Sequence, residues 1–123
     1  MEVTLYDRKG RPVAYIADDG DNSIYLWSGH AVAYIDGENI HGWNGRHMGW
    51  FSDGVLFDLH GRRVGSIAGK SPYAVYAESA KYAKYAKYAK YARYAAYARP
   101  GFNSGYSNES LEQFLKGGAV GNN

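Results

Sequence analysis

Apolar and polar residues alternate in short runs through the first half of the chain, and a glycine interrupts each run. Alternation with a period of two predicts strands that bury one face, and a glycine between two such runs predicts a hairpin turn. Four gapless units of twelve residues repeat this pattern, at 5–16, 24–35, 40–51 and 56–67. Because a lone hairpin is only marginally stable in water, we predict four β-hairpins packed around a pseudo-fourfold axis.

The sixth position of every unit is glycine, and the turns read Lys9-Gly10, Ser28-Gly29, Asn44-Gly45 and His60-Gly61. We predict two-residue turns there, which would place the fourth and seventh residues of a unit opposite each other. The seventh residues would then form a basic ring around the axis: Arg11, His30, Arg46 and Arg62. Trp27 and Trp43 would face this ring and stack on His30 and Arg46. The pattern indicates an anion or sugar-phosphate site, or alternatively an exposed rim where arginine covers aromatic surface.

Four hairpins that continue from the turn glycine into Val-Ala-Tyr-Ile or Val-Gly-Ser-Ile resemble the bacterial 4-fold beta flower domain, over about 1–69. The outer two units also place an aromatic residue and Asp7 or Asp58 before the glycine, which is similar to the YD repeats of Rhs-type shell proteins. The middle units have Leu26 and Gly42 in place of that aspartate. The first resemblance implies a flower-like arrangement of the hairpins. Neither resemblance implies an activity or supplies catalytic residues.

From Lys81 to Arg99 the chain repeats a Lys-Tyr-Ala triplet, with Arg or Ala at some lysine positions. Ser71-Pro72 is a typical helix start and Pro100-Gly101 a typical stop, so we predict a long helix over 71–99. In an α-helix each triplet advances about 300°, and the tyrosines would wind around every face. In a 3₁₀ helix each residue type forms a straight stripe, with Tyr or Ala against a partner and Lys in water. A polyproline II helix also has a period of three, but within this segment only Pro72 favours it.

Beyond the triplet repeat, a Gly/Ser/Asn loop leads into a short amphipathic helix over about 108–116, with Leu111, Phe114 and Leu115 on one face. Residues 119–123 are predicted to fray. The chain therefore divides into a hairpin domain at 1–70, a long helix at 71–99 and a C-terminal segment at 100–123. The fold class is mainly β with C-terminal helices, and we expect one globular unit.

The 123 residues include no cysteine, which excludes disulfides, thiolate metal sites and cysteine catalysis. No apolar run approaches the ~20 residues of a membrane span, and no secretory signal is recognisable at Met1. We expect a cytoplasmic protein without a membrane span. The histidines fall in different columns of the repeat, and the linker carboxylates stand beside turn residues. We therefore expect no metal, no cofactor and no catalytic residues.

Charge is unevenly distributed, with a net charge of −2 over 1–70 and +5 over 71–99. Our leading hypothesis is a non-catalytic binding or assembly module whose long helix packs on the hairpins or in a homo-oligomer. The alternative is a binder of an anionic polymer, nucleic acid or glycan, because lysine screens phosphate and tyrosine stacks on bases and sugars. The candidate residues on the helix surface are Tyr82, Lys84, Tyr85, Lys87, Tyr88, Lys90 and Tyr91.

Overall fold

The computed structural model describes residues 1–121, and its four repeats form eight antiparallel strands that close into one barrel. Each hairpin supplies two consecutive strands, so neighbours in sequence are neighbours in the barrel, and β8 closes on β1. This confirms the mainly β architecture built from four hairpins. The strands are β1 (Val3–Tyr6), β2 (Pro12–Ile16), β3 (Ser23–Leu26), β4 (Ala31–Asp36), β5 (Asn39–Gly42), β6 (His47–Ser52), β7 (Val55–Phe57) and β8 (Arg63–Ser66).

The core lies inside the barrel and is lined by the same columns of each repeat. The first residues of the four units are fully buried: Leu5, Ile24, Ile40 and Leu56. The register of every hairpin shifts by one residue at the equivalent place, which is a β-bulge. Bulges bend and twist strands, and here they let strands of three to six residues curve into a closed sheet.

The turns differ from the prediction. The Asp7 N–H donates to the Arg11 carbonyl at 2.9 Å, and the Gly10 N–H donates to the Asp7 carbonyl at 3.0 Å. This is a three-residue loop that ends in a left-handed glycine, with φ +85° at Gly10. The same bonds recur in all four hairpins, so the third and seventh residues of a unit are paired. The prediction that the fourth residue faces the seventh is therefore wrong.

An aspartate before the turn has a structural reason. The Asp7 carboxylate accepts the backbone N–H groups of Lys9 and Arg11, at 2.9 and 3.0 Å. Asp58 does the same in the fourth hairpin, with the N–H groups of His60 and Arg62. The Tyr-Asp and Phe-Asp pairs of the sequence are thus turn caps.

Residues 72–103, which we name the strap, form no helix or strand and follow the outside of the barrel. The long helix predicted over 71–99 is wrong in both its α and its 3₁₀ form, because no backbone hydrogen bond joins two residues of the strap as described. Helix propensity amounts to only a few tenths of a kcal/mol per residue. The barrel carbonyls take the N–H groups that a helix would use internally, and this tertiary pairing decides the conformation.

A short C-terminal helix, α1 (Leu111–Lys116), is present as predicted. Ser110 caps it in a capping box with Gln113, and the buried residues are Leu111, Phe114 and Leu115. The helix closes the end of the barrel at which the hairpin turns lie, and a Cβ on Gly65 of β8 would lie 2.8 Å from Leu111 Cδ2. The small residue at this position therefore makes room for the helix.

The tail was predicted to fray from residue 119, but Ala119 packs against the core. Asn122 and Asn123, which belong to that prediction, lie outside the described residues. Among residues 1–121, no helix combines the length and the apolar character that crossing a membrane requires.

Candidate functional site: the strap and its tyrosine belt

The strap contacts equivalent points of successive hairpins at intervals of nine strap residues. The carbonyl of each turn glycine accepts one strap N–H, and successive donors are nine residues apart. The pairs are Tyr76 with Gly10 (2.9 Å), Tyr85 with Gly29 (2.9 Å), Tyr94 with Gly45 (2.9 Å) and Asn103 with Gly61 (3.1 Å). Three triplets therefore correspond to one hairpin, so that equivalent strap residues contact equivalent residues of successive hairpins.

A second series of bonds has the same spacing. Tyr82 donates its N–H to the Trp27 carbonyl at 3.2 Å, and Tyr91 donates to the Trp43 carbonyl at 3.0 Å. The equivalent position in the next unit is Pro100, which has no N–H to donate. The strap is thus a nine-residue repeat at the level of contacts, although its composition repeats every three residues.

The turn glycines are required for two reasons. All four have positive φ, between +79° and +98°, which favours glycine. In addition, a strap carbonyl lies against each α-carbon, so that a Cβ there would overlap the oxygen of residue 74, 83, 92 or 101. These oxygens are again nine residues apart. Sequence reasoning assigned the glycines to the turn alone and missed the close approach of the strap.

The cations of the strap face the barrel, and their side chains lie over aromatic rings on its outer wall. Lys81 Nζ lies 4.5 Å from the centroid of the Tyr15 ring, and Lys90 Nζ lies 4.2 Å from that of Tyr34. These two lysines are nine residues apart and occupy equivalent places on successive hairpins. Cation–π contacts of this kind contribute about 0.5–1 kcal/mol each where they are exposed.

One strap position holds a cation against the first two hairpins and an aromatic ring at its third occurrence. Lys84 and Arg93 lie over Tyr25 and Tyr34, and nine residues later the equivalent strap position is Phe102. Phe102 stacks on Phe57 with a centroid distance of 3.9 Å and an interplanar angle of 3°. This ring contact helps to fix the register of the strap at its far end.

Every cation between residues 71 and 99 also forms an ion pair with a carboxylate of the barrel. The pairs are Lys81 and Lys84 with Glu2 (2.8 and 3.1 Å), Lys87 with Asp19 (2.7 Å), Lys90 with Asp21 (2.6 Å), Arg93 with Asp36 (2.7 Å) and Arg99 with Glu38 (2.6 Å). The side chains are partly exposed, so each pair stabilises by no more than about 1 kcal/mol. Each strap cation thus has an anionic partner within the same chain.

Asp19 is the most strongly perturbed carboxylate of this set. Burial raises its pKa, but hydrogen bonds from Lys87 and from Ser23 outweigh burial and lower the pKa to about 2. The same pair raises the pKa of Lys87, although burial opposes that shift. Both groups remain charged over the whole neutral range. The linker carboxylates that sequence reasoning assigned to turns therefore also hold the strap.

The tyrosines of the strap point outward and its lysines face the barrel, whereas the predicted 3₁₀ helix would have placed Tyr or Ala against a partner and Lys in water. We name them the tyrosine belt: Tyr73, Tyr76, Tyr82, Tyr85, Tyr88, Tyr91, Tyr94 and Tyr97. Their exposed fractions range from 51% to 69%. Tyr85 stacks on His30 at a centroid distance of 4.3 Å, whereas no ring contact is seen for Tyr82, Tyr91 or Tyr94 within the described chain.

Two buried histidines lie beneath the last third of the strap. His47 Nδ1 accepts the Tyr97 N–H at 3.0 Å, so Nε2 carries the proton and donates to Asn39 Oδ1 at 3.0 Å. Burial lowers the pKa of His47, and burial together with Arg93 lowers the pKa of His41. Both rings are therefore neutral at neutral pH. In residues 1–121 no group of three His, Asp or Glu side chains is arranged to hold a metal ion.

The predicted basic ring surrounds helix α1. Arg46 donates to the Gly117 carbonyl at 3.1 Å, and Arg46 and Arg62 line one cavity of about 260 Å³ together with His60. Arg11 and His30 line two further cavities on other sides of the helix. The structure thus brings two of the four residues together, and the helix occupies the space that the prediction gave to an anion.

The predicted indole stacking is also absent. Trp27 lies edge-on to Tyr15 and beneath Lys81, and not against His30. Trp43 is buried, lies beneath Lys87 and Lys90, and donates its indole N–H to the Tyr88 carbonyl. Both indoles therefore serve as supports for the strap.

The chain was compared with curated proteins and with solved structures, and neither comparison gives a match. The sequence model of the 4-fold beta flower protein family matches residues 3–115. That range contains all eight strands, the whole strap and most of helix α1, so the strap is part of the family domain and not an appendage to it. The chain belongs to the 4-fold beta flower family.

Proposed function

We propose that the protein is a small non-catalytic binding or assembly module whose binding surface is the tyrosine belt. The carrying observation is that eight tyrosines lie half to two-thirds exposed, while all six strap cations face the barrel. Contiguous exposed aromatic surface is typical of interaction sites, and tyrosine is enriched there because its ring is apolar and its hydroxyl polar.

The belt is also held in place before any partner arrives. Tyr76, Tyr82, Tyr85, Tyr91 and Tyr94 donate their backbone N–H groups to barrel carbonyls, and the lysines between them are tied to carboxylates. A surface that is already ordered loses less conformational entropy on binding than a flexible segment does. This supports a role in recognition.

The proposal of a non-catalytic role rests on how the acid–base groups are used. Asp7 and Asp58 cap turns, the linker carboxylates bind strap cations, and His41 and His47 are buried beneath the strap. General acid–base catalysis needs a titratable group within reach of a substrate. These groups have structural partners instead.

Two kinds of macromolecular partner follow from the sequence, a second copy of the chain and an anionic polymer. The ion pairs weigh against the polymer, because each phosphate contact would have to displace a barrel carboxylate from a lysine. The wrapping of the strap around its own barrel weighs against a dimer held by strap packing.

The test compares two triple variants of the full chain. The belt variant carries Tyr82→Ala, Tyr91→Ala and Tyr94→Ala, and the charge variant carries Lys84→Gln, Lys87→Gln and Lys90→Gln. Sedimentation velocity measures self-association, and binding is measured against heparin, single-stranded RNA and neutral polysaccharides. We expect the belt variant to lose the association that the wild type shows. If only the charge variant loses it, or if the belt variant matches the wild type in every assay, the proposal is wrong.

A second candidate is a small-anion site at the Arg46–Arg62 cavity. Arg46, Arg62 and His60 line this cavity beside two carboxylate residues, Asp58 and Glu109, and Phe114 supplies an apolar side. Phosphate should bind there weakly and shift the NMR signals of both arginine side chains. Arg62→Gln should remove the shifts, whereas Arg8→Gln, which alters an arginine over Tyr106 outside this cavity, should not. Equal shifts in both variants would refute the site.

A further inference from the structure

We propose that the tyrosine belt binds a neutral polysaccharide chain, which follows the belt around the barrel. This inference rests on the proposed function and names its partner. The belt passes from the first hairpin, where Tyr76 meets Gly10, to the third, where Tyr94 meets Gly45. A chain lying along it would contact successive tyrosine rings.

The charge of the belt favours a neutral partner. Between the tyrosines the strap exposes alanine, and its six cations each have a carboxylate within 3.1 Å. A phosphate or sulfate polymer gains affinity mainly by releasing counterions when it meets unpaired cations. The outward surface offers phenol rings and hydroxyls in place of such cations.

The chemistry of that surface suits sugars. The C–H face of a pyranose packs on an aromatic ring, and its hydroxyls hydrogen-bond with phenol oxygens. Neighbouring tyrosines of the repeat are three residues apart. At the polyproline II rise of about 3.1 Å per residue this interval is about 9 Å, which is close to the length of a disaccharide. The backbone bonds from Tyr82, Tyr85, Tyr91 and Tyr94 to the barrel keep that interval fixed.

The shape of the belt disfavours a second copy of the chain. The strap lies on the outside of a closed barrel, and its tyrosines therefore form a convex surface. Two rigid convex surfaces meet at few residues, whereas a specific protein interface buries about 1,200–2,000 Å². A flexible polymer can bend along the belt and contact many rings at once.

The tyrosines are not equivalent, and this provides a sharp set of variants. Tyr85 stacks on His30 and Tyr97 on His47, so their rings also contact the barrel. Tyr82, Tyr91 and Tyr94 have exposed fractions of 69%, 55% and 66%, and no ring contact of theirs is seen in the described chain. Replacing these three rings should leave the fold intact.

The experiment is affinity electrophoresis of the full chain toward the cathode, which its net charge of +2 allows, in gels containing amylose, xylan or a β-1,3-glucan. We expect retardation by at least one of these polymers, with little effect of salt. Tyr82→Ala, Tyr91→Ala and Tyr94→Ala together should weaken binding at least about tenfold. The same three positions changed to Phe should retain most of it, because the stacking ring remains. Thermal unfolding of both variants checks that the barrel is intact.

The outcomes separate this inference from the proposed function. If no neutral polysaccharide retards the wild type, the inference is overturned. If the belt variant instead loses self-association or RNA binding, the inference is overturned while the proposed function stands. If the alanine variant equals the wild type in retardation, self-association and RNA binding, both are wrong. Retardation that the alanine substitutions abolish and the phenylalanine substitutions preserve supports both.

Discussion

The backbone N–H of Tyr97 donates to Nδ1 of His47 at 3.0 Å, so the strap is fastened to an imidazole that must be neutral. A proton on that nitrogen would turn the acceptor into a donor that faces another donor. His41 lies beside it, with a ring centroid distance of 5.5 Å, and Arg93 lies near His41. The last third of the strap is therefore coupled to the protonation of this histidine pair.

Acidification should destabilise the protein through these histidines. Burial lowers the folded-state pKa of both, so the stability they contribute is complete above their unfolded pKa of about 6.5 and is lost as the pH falls below it. Thermal unfolding followed from about pH 8 to about pH 5 should show a falling midpoint. His47→Gln should flatten this slope. An unchanged slope in that variant would show that His47 does not govern it.

A β-carbon at a turn glycine should loosen the strap. Gly29→Ala meets both a positive φ of +98° and the carbonyl of Ala83, and it should lower the free energy of unfolding by about 1–3 kcal/mol. Gly37→Ala is the matched control, since Gly37 has φ +63° and open space around it. The excess loss in Gly29→Ala measures the strap contact. Equal losses in chemical denaturation would mean that only the turn is strained.

Salt and acid should release the strap through its ion pairs. Asp19→Asn should lower the free energy of unfolding by about 1 kcal/mol and speed trypsin cleavage at the strap lysines, because Lys87 loses its nearer carboxylate at 2.7 Å and keeps only Asp21 at 3.6 Å. High salt should reduce the difference by screening. Asp53→Asn, which alters an exposed pair with Lys70 outside the strap, is the control and should leave cleavage unchanged. Since the pKa of Asp19 is lowered to about 2, its contribution holds above the ordinary aspartate pKa of about 3.9 and fades as the pH falls toward 2.

The lysine of a triplet should contribute more to stability than the tyrosine that follows it. Lys90→Ala removes a contact with the Tyr34 ring and an ion pair with Asp21, and it should lower the free energy of unfolding by about 1 kcal/mol. Tyr91→Ala removes an outward ring and should change it by less than about 0.5 kcal/mol. Urea unfolding of both variants measures the two changes in the free energy of unfolding. A larger loss for Tyr91→Ala would mean that its ring packs on the barrel.

Helix α1 should be needed for the barrel core. Leu115 is fully buried, and Leu115→Ala should lower the free energy of unfolding by about 2–5 kcal/mol. Lys116→Ala, which removes only an exposed pair with Glu112, is the control and should have an effect below about 0.5 kcal/mol. Similar small effects of both substitutions would indicate that the barrel is stable without the helix.

The sequence by itself determined the hairpins. The columns that begin with Leu5, Ile24, Ile40 and Leu56 became the centre of the core, and the glycine of each unit became a left-handed turn residue. These features are local, because a period of two and a glycine with positive φ act within a few residues. The short helix was also predictable, from its apolar face and the glycines that follow it, although the structure starts it at Leu111 and not near residue 108.

The conformation of the strap was decided by the tertiary structure. Alanine, lysine and arginine favour a helix in isolation, and the chain instead gives the N–H groups of Tyr76, Tyr85 and Tyr94 to carbonyls that lie 66, 56 and 49 residues earlier in the sequence. Such long-range bonds leave no local signal beyond the period of three. The period of three is compatible with the barrel because three triplets correspond to one hairpin. The distance between neighbouring hairpins depends on the width of the closed barrel.

The direction of the side chains followed from the same cause. Sequence reasoning placed lysine in water, because a charged side chain is usually solvated. The barrel offered Lys90 both a carboxylate, Asp21, and an aromatic surface, Tyr34, and these compensate for the water that it loses. The unequal net charges of 1–70 and 71–99 were visible in the sequence. That each strap cation meets a barrel carboxylate across one interface, and that the tyrosines stay outside, was decided only when the chain closed on itself.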